Sequence, residues 1–433
     1  MKEIKTNLFA IAVAAVIFSS IIVLSSGCVK QEASKAEIVD KPLLNAPAPN
    51  ADIAAAQKMI EKMPDEAIGY NKLTVAYIRL ARATGDFGLN SNAQTAVNRA
   101  LEIEPQNFDA KKLKASLLLT YHRFAEGLEL GTQLQKENPN DAFVYGVLTD
   151  ANNELGNYDE AVKAVQKMVD TRPNSDSYAR IALTRSLHGD SDGAIEIMNL
   201  AARIADPQDK EAQSWCLTQL GNELFKVGRL DEAEKQYDTA LRILPDFPLA
   251  MAGKGQVRAA AGDYETAVKV LTQTQDRVPS VEVVIMLGDI YTKTGNAEKA
   301  AEQYKLAEII EQKLGNIDQR RLALMWADQD VNLDEALAIA EREHAARKDI
   351  LTADIYAWCL YKKGDFPQAK NIIGEALRLK TKNPSFFYHA GMIEKALNDK
   401  KAAISYLQKS LQLNPSFDLL QAEKAKAALQ ELK

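Results

Sequence analysis

The chain has 433 residues, of which 46% are apolar and 26% charged, so the bulk of it is not intrinsically disordered. Its formal net charge is −6 and no run of lysine and arginine stands out, which argues against a nucleic-acid partner. Three cysteines do not make a disulfide framework. Cys216 and Cys359 fall in predicted helices, where we expect them to be small buried hydrophobic residues.

Residues 1–27 predict a targeting segment. Lys2 and Lys5 form a short basic region, and Leu8–Leu24 is almost wholly apolar. The apolar run then gives way to Ser25–Cys28, which reads Ser-Ser-Gly-Cys. This pattern resembles a bacterial lipoprotein signal, in which a peptidase cuts before the cysteine and the thiol receives a diacylglyceryl group.

The resemblance implies that Cys28 is lipidated and that the protein is held in the cell envelope by a lipid anchor. Val29 follows the cysteine, and in the lipoprotein family this favours the outer membrane, facing the periplasm if the organism is Gram-negative. An uncut membrane anchor is the alternative, because the apolar run approaches the length that spans a bilayer.

Two short regions follow the targeting segment. Residues 28–50 are polar and then rich in proline and alanine, with Pro42, Pro47 and Pro49, which predicts an extended linker. Residues 51–66 have helical character and are expected to form a leading helix on the first repeat.

The stretch Leu220–Pro245 has the spacing of a helix–turn–helix unit. Gly228 lies where a first helix would end in a left-handed turn, and the final proline cannot continue a second helix. Gly221 and Ala233 are small where the two helices would cross, and Tyr237 would form the inner face of the second helix. The unit resembles the tetratricopeptide (TPR) repeat, whose period is about 34 residues.

Copies of this unit cover residues 67–415. Prolines recur 34 residues apart at positions 105, 139, 173 and 207. Counting from these anchors predicts about ten repeats, of which the first carries an insertion near Gly85–Gly88 and the second has His122 in place of the turn glycine. Extra residues at 208–213 lengthen one step, and the unit at 317–348 is the most degenerate.

The predicted fold is all-α, a right-handed superhelical TPR solenoid of about ten repeats. Residues 416–433, with a helix over Phe417–Leu432, would form the C-terminal cap that protects the open end of a solenoid. The resemblance implies that the first helix of each repeat lines the concave surface.

No catalytic, cofactor or metal site is predicted. The four histidines are scattered over distant repeats, and no HExxH, CxxC, GxSxG or P-loop pattern occurs. We therefore predict that the protein is not an enzyme. A hydrolase or transferase with an unrecognised site is a further hypothesis, which clustered Asp, Glu, His or Cys side chains would support.

In the TPR family, ligand contacts come from the concave face of the first helix, and mapping the repeats onto that pattern gives nine candidates. They are Trp215, Asn222, Phe225, Lys226, Asp289, Lys293, Trp358, Tyr361 and Tyr388. Aromatic side chains among asparagine and lysine suit an extended peptide or protein partner. Each aromatic could instead fill a gap between repeats. The carboxylate-clamp pattern of some TPR proteins breaks at Gly253 and Glu282, so that ligand is not predicted.

The sequence therefore predicts a membrane-tethered, exported TPR scaffold for protein–protein interactions, similar to bacterial TPR lipoproteins that act in cell-envelope assembly or export. The alternative is a glycan- or small-ligand-binding module, in which Trp215, Trp358, Tyr361 and Tyr388 stack on sugar rings. Exposed rings in the groove would favour the alternative, and rings buried between repeats would count against it.

Overall fold

The computed structural model describes residues 50–313 and 318–433, and these two stretches are helical without any strand. The predicted signal peptide (1–27), the lipidation site Cys28 and the linker up to residue 49 lie outside the described residues. Among the helices that are described, none is long and apolar enough to cross a bilayer.

The described residues form 22 α-helices in sequence order. They are α1 (Ala51–Lys62), α2 (Ala67–Thr84), α3 (Leu89–Ile103), α4 (Phe108–Thr120), α5 (Phe124–Glu137), α6 (Ala142–Leu155), α7 (Tyr158–Thr171), α8 (Ser175–Leu187), α9 (Ser191–Ile204), α10 (Lys210–Lys226), α11 (Leu230–Ile243), α12 (Pro248–Ala260), α13 (Tyr264–Arg277), α14 (Val281–Lys293), α15 (Ala297–Lys313), α16 (Arg320–Asp328), α17 (Leu333–Ala346), α18 (Ile350–Lys362), α19 (Phe366–Ala376), α20 (Pro384–Ala396), α21 (Lys400–Leu413) and α22 (Gln421–Glu431).

Helices α2 to α21 pair into ten repeats, numbered 1 to 10 below, each with a helix A followed by a helix B. Local chemistry sets their ends. In repeat 3 the Asp141 carboxylate accepts from the amide of Val144 at 3.1 Å and caps α6, which ends at Gly156 with φ 79°. His122 (φ 56°) takes the same left-handed position in repeat 2, as predicted, and Asn398 (φ 61°) takes it in repeat 10.

The packing of repeat 5 follows the size pattern read from the sequence. The Tyr237 side chain is fully buried, and its ring lies between Gly221 of α10 and Gly253 of α12. A Cβ atom added at either glycine would come within 2.5 Å of that ring. Two glycines therefore make room for one tyrosine, which locks helix B of this repeat between two consecutive A helices.

The structure adds detail to the predicted elements in two places and differs from them in a third. The extra residues after Pro207 extend α10, which begins at Lys210 and runs for 17 residues. Helix α16 of the degenerate repeat 8 has only nine residues. The final helix starts at Gln421 rather than Phe417, because Asp418 accepts from the amides of Leu420 and Gln421 and starts the helix there.

A feature that the sequence did not predict is contact between successive turns of the superhelix. We call this surface the inter-turn seam: the A–B turns of repeats 1 to 5 meet the loops that precede the A helices of repeats 7 to 10 and helix α22, six units later. The facing pairs are Gly85 with Val278, His122 with Asp318, Leu155 with Lys348, Leu187 with Thr381, and Phe225 with Asn414.

The inter-turn seam satisfies carbonyl groups at the ends of A helices, which have no partner inside their own helix. In repeat 3 the amide of Lys348 donates to the carbonyl of Leu155 at 3.3 Å. In repeat 4 the Thr381 hydroxyl donates to the carbonyl of Leu187. In repeat 5 the Asn414 side-chain amide donates to the carbonyl of Phe225 at 2.7 Å. The two turns of the superhelix are therefore joined by directed hydrogen bonds.

The middle of the inter-turn seam holds a buried group of charges. The Arg347 side chain is 4% exposed and lies 3.2 Å from a carboxylate oxygen of Glu154 in repeat 3 and 3.2 Å from one of Asp318. It also pairs with Glu343 at 3.0 Å. Burial opposes ionisation of Asp318, but the neighbouring His122 and the arginines outweigh it and hold the pKa of Asp318 well below its usual range.

Candidate functional site

The structure separates the nine predicted groove residues by exposure. Phe225, Trp358 and Tyr388 are buried, Lys226 is exposed, and Trp215, Asn222, Asp289, Lys293 and Tyr361 are half-buried. Three features of the concave side account for most of these positions: an aromatic stack, a set of contacts within repeat 5, and a segment of the chain itself.

The aromatic stack is in repeats 9 and 10. The Trp358 indole lies between the rings of Tyr361 and His389, with centroid distances of 4.7 and 4.2 Å and nearly parallel planes. Its N–H donates to Asp328 at 2.8 Å. Trp358 and Tyr388 are each only 1% exposed, so these rings are core residues and their faces are not open to a sugar. Burial of these two rings therefore counts against the glycan-binding alternative at Trp358 and Tyr388.

The candidates in repeat 5 are engaged within the array. Trp215 packs against Phe247 between repeats 5 and 6. The Tyr237 hydroxyl donates to the Asn222 side chain at 2.8 Å, and Lys226 pairs with Glu223 at 2.6 Å. Trp215 therefore fills a gap between repeats, which was the alternative to a binding role. Asn222 orients Tyr237, the tyrosine that packs helix B between two A helices.

Of the remaining candidates, Phe225 and Asp289 lie beside residues 414–420, which we call the C-terminal segment, and Lys293 pairs with Glu423 just after it. This segment joins α21 to α22 and lies against the A helices of repeats 5 to 7, which are the helices expected to line the concave side. Leu419 packs against the apolar cluster that contains Leu271 and Ile290. The Phe417 ring lies 5.8 Å from that of Tyr388. A surface predicted to receive a partner thus receives a part of this chain.

A small cavity lies under the C-terminal segment. Its volume is about 70 Å³, and its walls combine predicted groove residues with residues of the segment: Phe225, Gln256, Ala259, Ala260, Leu271, Met286, Asp289, Ile290, Phe417, Asp418 and Leu419. The segment therefore does not fill the concave surface completely.

Three carboxylates influence one another where the C-terminal segment crosses the concave side. Burial, and then the charge of Asp418, raise the pKa of Asp328 to about 7. The same two causes hold the pKa of Asp289 well above its usual range, although the Tyr304 hydroxyl donates to it at 2.8 Å. Like charges here oppose the seating of the segment.

A second cavity lies on repeat 7. It has a volume of about 460 Å³ and is lined by Thr292, Gly295, Ala297, Ala300, Ala301, Tyr304, Lys305, Glu308 and Gln329. One of these residues, Gln329, directly follows the short helix α16.

Within 50–313 and 318–433 there is no group of three or more His, Cys, Asp or Glu side chains arranged to hold a metal ion. Cys216 and Cys359 are free and buried, as expected, and burial raises the pKa of each thiol to about 12.

Sequence reasoning missed the participation of Asp328, Asp418 and Leu419. Residues 417–420 read Phe-Asp-Leu-Leu, and this apolar run was interpreted as the start of the capping helix. The available signal was the aspartate within the run, since aspartate favours the position just before a helix.

Comparison with known families identifies several of the repeats. Family models described as tetratricopeptide repeat match residues 218–282, 253–313 and 384–417. The chain contains tetratricopeptide repeats. The matched tetratricopeptide regions lie in repeats 5 to 7 and repeat 10, and they include the surface under the C-terminal segment.

Several curated proteins are similar to the tetratricopeptide array. A TPR repeat-containing protein of Methanocaldococcus jannaschii is 22% identical over 44% of this chain and 36% of its own length. Anaphase-promoting complex subunit 3 of Schizosaccharomyces pombe is 24% identical over 54% and 36%. The BBSome complex member BBS4 homolog of Drosophila melanogaster is 25% identical over 63% and 58%. The chain thus spans less than two thirds of each relative.

Solved structures with a similar arrangement include human IFIT1 and yeast Tom70. IFIT1 is 12% identical, with a TM-score of 0.48 over 83% of this chain and 85% of that chain. Tom70 is 14% identical, with a TM-score of 0.40 over 87% and 91%.

Proposed function

We propose that this protein is an exported, membrane-tethered scaffold that binds protein segments on the concave side of its tetratricopeptide array, in assembly or export at the cell envelope. The observation that carries the binding role is the C-terminal segment itself. A stretch of polypeptide, held mainly by side chains, already lies on the concave side of repeats 5 to 7. The same apolar side chains suit an external segment.

Support for the tether comes from the sequence. The pattern Ser-Ser-Gly-Cys at Ser25–Cys28 ends an apolar run, as in bacterial lipoproteins. Residues 29–50 between that cysteine and α1 span at most roughly 70 Å when extended. The array would therefore reach partners away from the membrane surface while it remains attached to it.

Crosslinking in cells, with identification of the attached proteins by mass spectrometry, tests the binding role. Met286 lines the small cavity under the C-terminal segment. Met286→Glu should strongly reduce capture of the principal partner, because it places a charge in an apolar site. Val162→Glu, at an exposed position on α7, is the matched control. If both variants capture the same partners in the same yield, the concave side of repeats 5 to 7 is not the binding surface.

Fractionation tests the tether. Cys28→Ser removes the thiol that would be lipidated, and we expect most of the protein to move from the membrane fraction to the soluble fraction, because an array without its acyl chains has little to hold it there. The control is Cys216→Ser, a buried position within α10. Membrane retention of Cys28→Ser equal to that of the parent chain would count against lipidation and favour an uncut anchor.

A further inference from the structure

The C-terminal segment is attached to repeats 5 to 7 almost wholly through side chains. Leu419 enters the apolar cluster, and Asn414 donates to the carbonyl of Phe225 at 2.7 Å. Just beyond the segment, Lys293 and Glu423 form an ion pair. Among the described residues, no backbone–backbone hydrogen bond joins residues 415–420 to repeats 5 to 7. In repeat 3, by contrast, the inter-turn seam has a direct bond of that kind.

The fit of the segment is also imperfect. Residues 416–420 are all half-buried, unlike the core positions around them. The cavity of about 70 Å³ remains under Phe417 and Leu419. The charge of Asp418 acts on the half-buried carboxyl groups of Asp289 and Asp328 and raises the pKa of both, after burial itself. Incomplete packing and like charge both lower the free energy needed to lift the segment away.

Two apolar side chains spaced two residues apart make the principal contacts. Phe417 lines the small cavity together with Phe225 and also packs against Tyr388 of repeat 10, and Leu419 packs against the apolar cluster of repeats 6 and 7. Between them, the carboxylate of Asp418 is used by the segment's own helix start. The concave surface therefore recognises the aromatic and the leucine, whereas the residue between them serves α22.

We propose that the concave side of repeats 5 to 7 is a binding site for a protein segment that presents an aromatic side chain and, two residues later, a leucine, and that residues 416–420 occupy this site as an internal competitor. The inference rests on the proposed scaffold function and gives it a recognition rule. A partner must displace the chain's own segment. Its apparent affinity is therefore its intrinsic affinity multiplied by the fraction of molecules in which the site is empty.

The test measures binding of a labelled peptide with the sequence of residues 413–424 to the full chain. The double variant Phe417→Ala with Leu419→Ala weakens the internal competitor, and we expect it to bind the peptide at least about tenfold more tightly than the parent chain. Leu249→Ala, at an exposed position on α12, is the matched control and should bind as the parent does. Adding Met286→Glu to the double variant should abolish binding.

Equal affinity of the double variant and the parent chain, or no binding to either, would overturn the proposal. Circular dichroism shows whether the double variant remains folded. If it does not, Asp418→Asn decides the matter, because asparagine still caps α22 while the like charge is removed. This variant should bind the peptide more weakly and resist protease cleavage within residues 415–420. Unchanged binding and cleavage would overturn the proposal.

The same variants separate this inference from the scaffold function. Partner capture in cells that is equal for the parent chain, the double variant and Asp418→Asn supports a scaffold but overturns internal competition. Failure to capture any protein, with peptide binding as expected, overturns the scaffold function and leaves the binding site in place.

Discussion

The space around individual turn glycines shows how closely the superhelical turns approach each other. Gly156 has φ 79°, and a Cβ atom added there would lie 2.3 Å from the carbonyl oxygen of Lys348. Gly262 has φ 83° but meets nothing within 4 Å. Both glycines provide a left-handed turn, and only the first also makes room for the next superhelical turn. The pair therefore isolates the cost of the inter-turn contact.

Gly156→Ala should destabilise the protein more than Gly262→Ala. The control carries only the cost of a left-handed alanine, about 1–2 kcal/mol, and Gly156→Ala adds an overpacking cost of about 1–3 kcal/mol. Thermal unfolding of the two variants measures the difference. Equal melting temperatures would mean that repeat 3 does not touch the loop at Lys348 in solution.

Asp328 gives the concave side a pH dependence. Its pKa rises from an ordinary 3.8 to about 7 on folding, through burial and then the charge of Asp418, against the opposing influence of His389 and Lys362. The folded state therefore favours the protonated acid, and stability is lost as the pH rises from about 4 to about 7.

Asp328→Asn should remove this loss, because the amide oxygen can still accept from Trp358. Relative to the parent chain, the variant should gain on the order of 1 kcal/mol or more in unfolding free energy between pH 5 and pH 8. Asp159→Asn, at an exposed position on α7, is the control and should show no such change. A parallel pH profile for Asp328→Asn and the parent chain would contradict the assignment.

At the scale of helices, the features that depend on local chemistry could be predicted from the sequence. The left-handed turns at Gly156 and His122 and the pairing of Gly221 with Tyr237 were predictable, because each depends on the conformation or size of one residue and a fixed spacing. The ten helix pairs follow from those positions.

The start of α22 was predicted wrongly for a physical reason. Residues 417–420 are apolar enough to continue a helix, but their side chains find tertiary partners in repeats 6, 7 and 10. Tertiary contacts of this kind override local helix propensity. The candidate site was predictable in the same partial way: the repeat register identified Phe225 and Asp289, which line the small cavity, but nothing in it indicated the segment that lies beside them. Binding of a partner by these residues stays a prediction.

At the scale of the whole molecule, the contact between successive turns of the superhelix could not be predicted from the sequence. Each repeat is rotated by a small angle relative to the last, and the position of repeat 8 above repeat 3 depends on the accumulated rotation. No local motif encodes that sum. The residues that stabilise it are visible only afterwards, as a buried arginine with several carboxylates.

Arg347 connects the two superhelical turns. Its side chain is 4% exposed and pairs with Glu154, Asp318 and Glu343. Arg347→Ala removes one buried cation from partly buried carboxylates, of which Asp318 keeps Arg320 at 2.7 Å, and we expect a loss of about 1–3 kcal/mol. The exposed pair Arg229–Glu232 offers the control, since Arg229→Ala should cost less than about 1 kcal/mol.

The contact between the two superhelical turns also determines the overall dimensions of the molecule. If Arg347 holds the turns together, Arg347→Ala should enlarge the radius of gyration measured by small-angle X-ray scattering while circular dichroism shows retained helices, because each repeat keeps its own contacts when the inter-turn seam opens. Opening would move repeats 8 to 10, and with them the C-terminal segment, away from repeats 3 to 5. An unchanged radius together with a stability loss no greater than that of Arg229→Ala would mean that the backbone and side-chain hydrogen bonds at Lys348, Thr381 and Asn414 suffice to keep the turns closed.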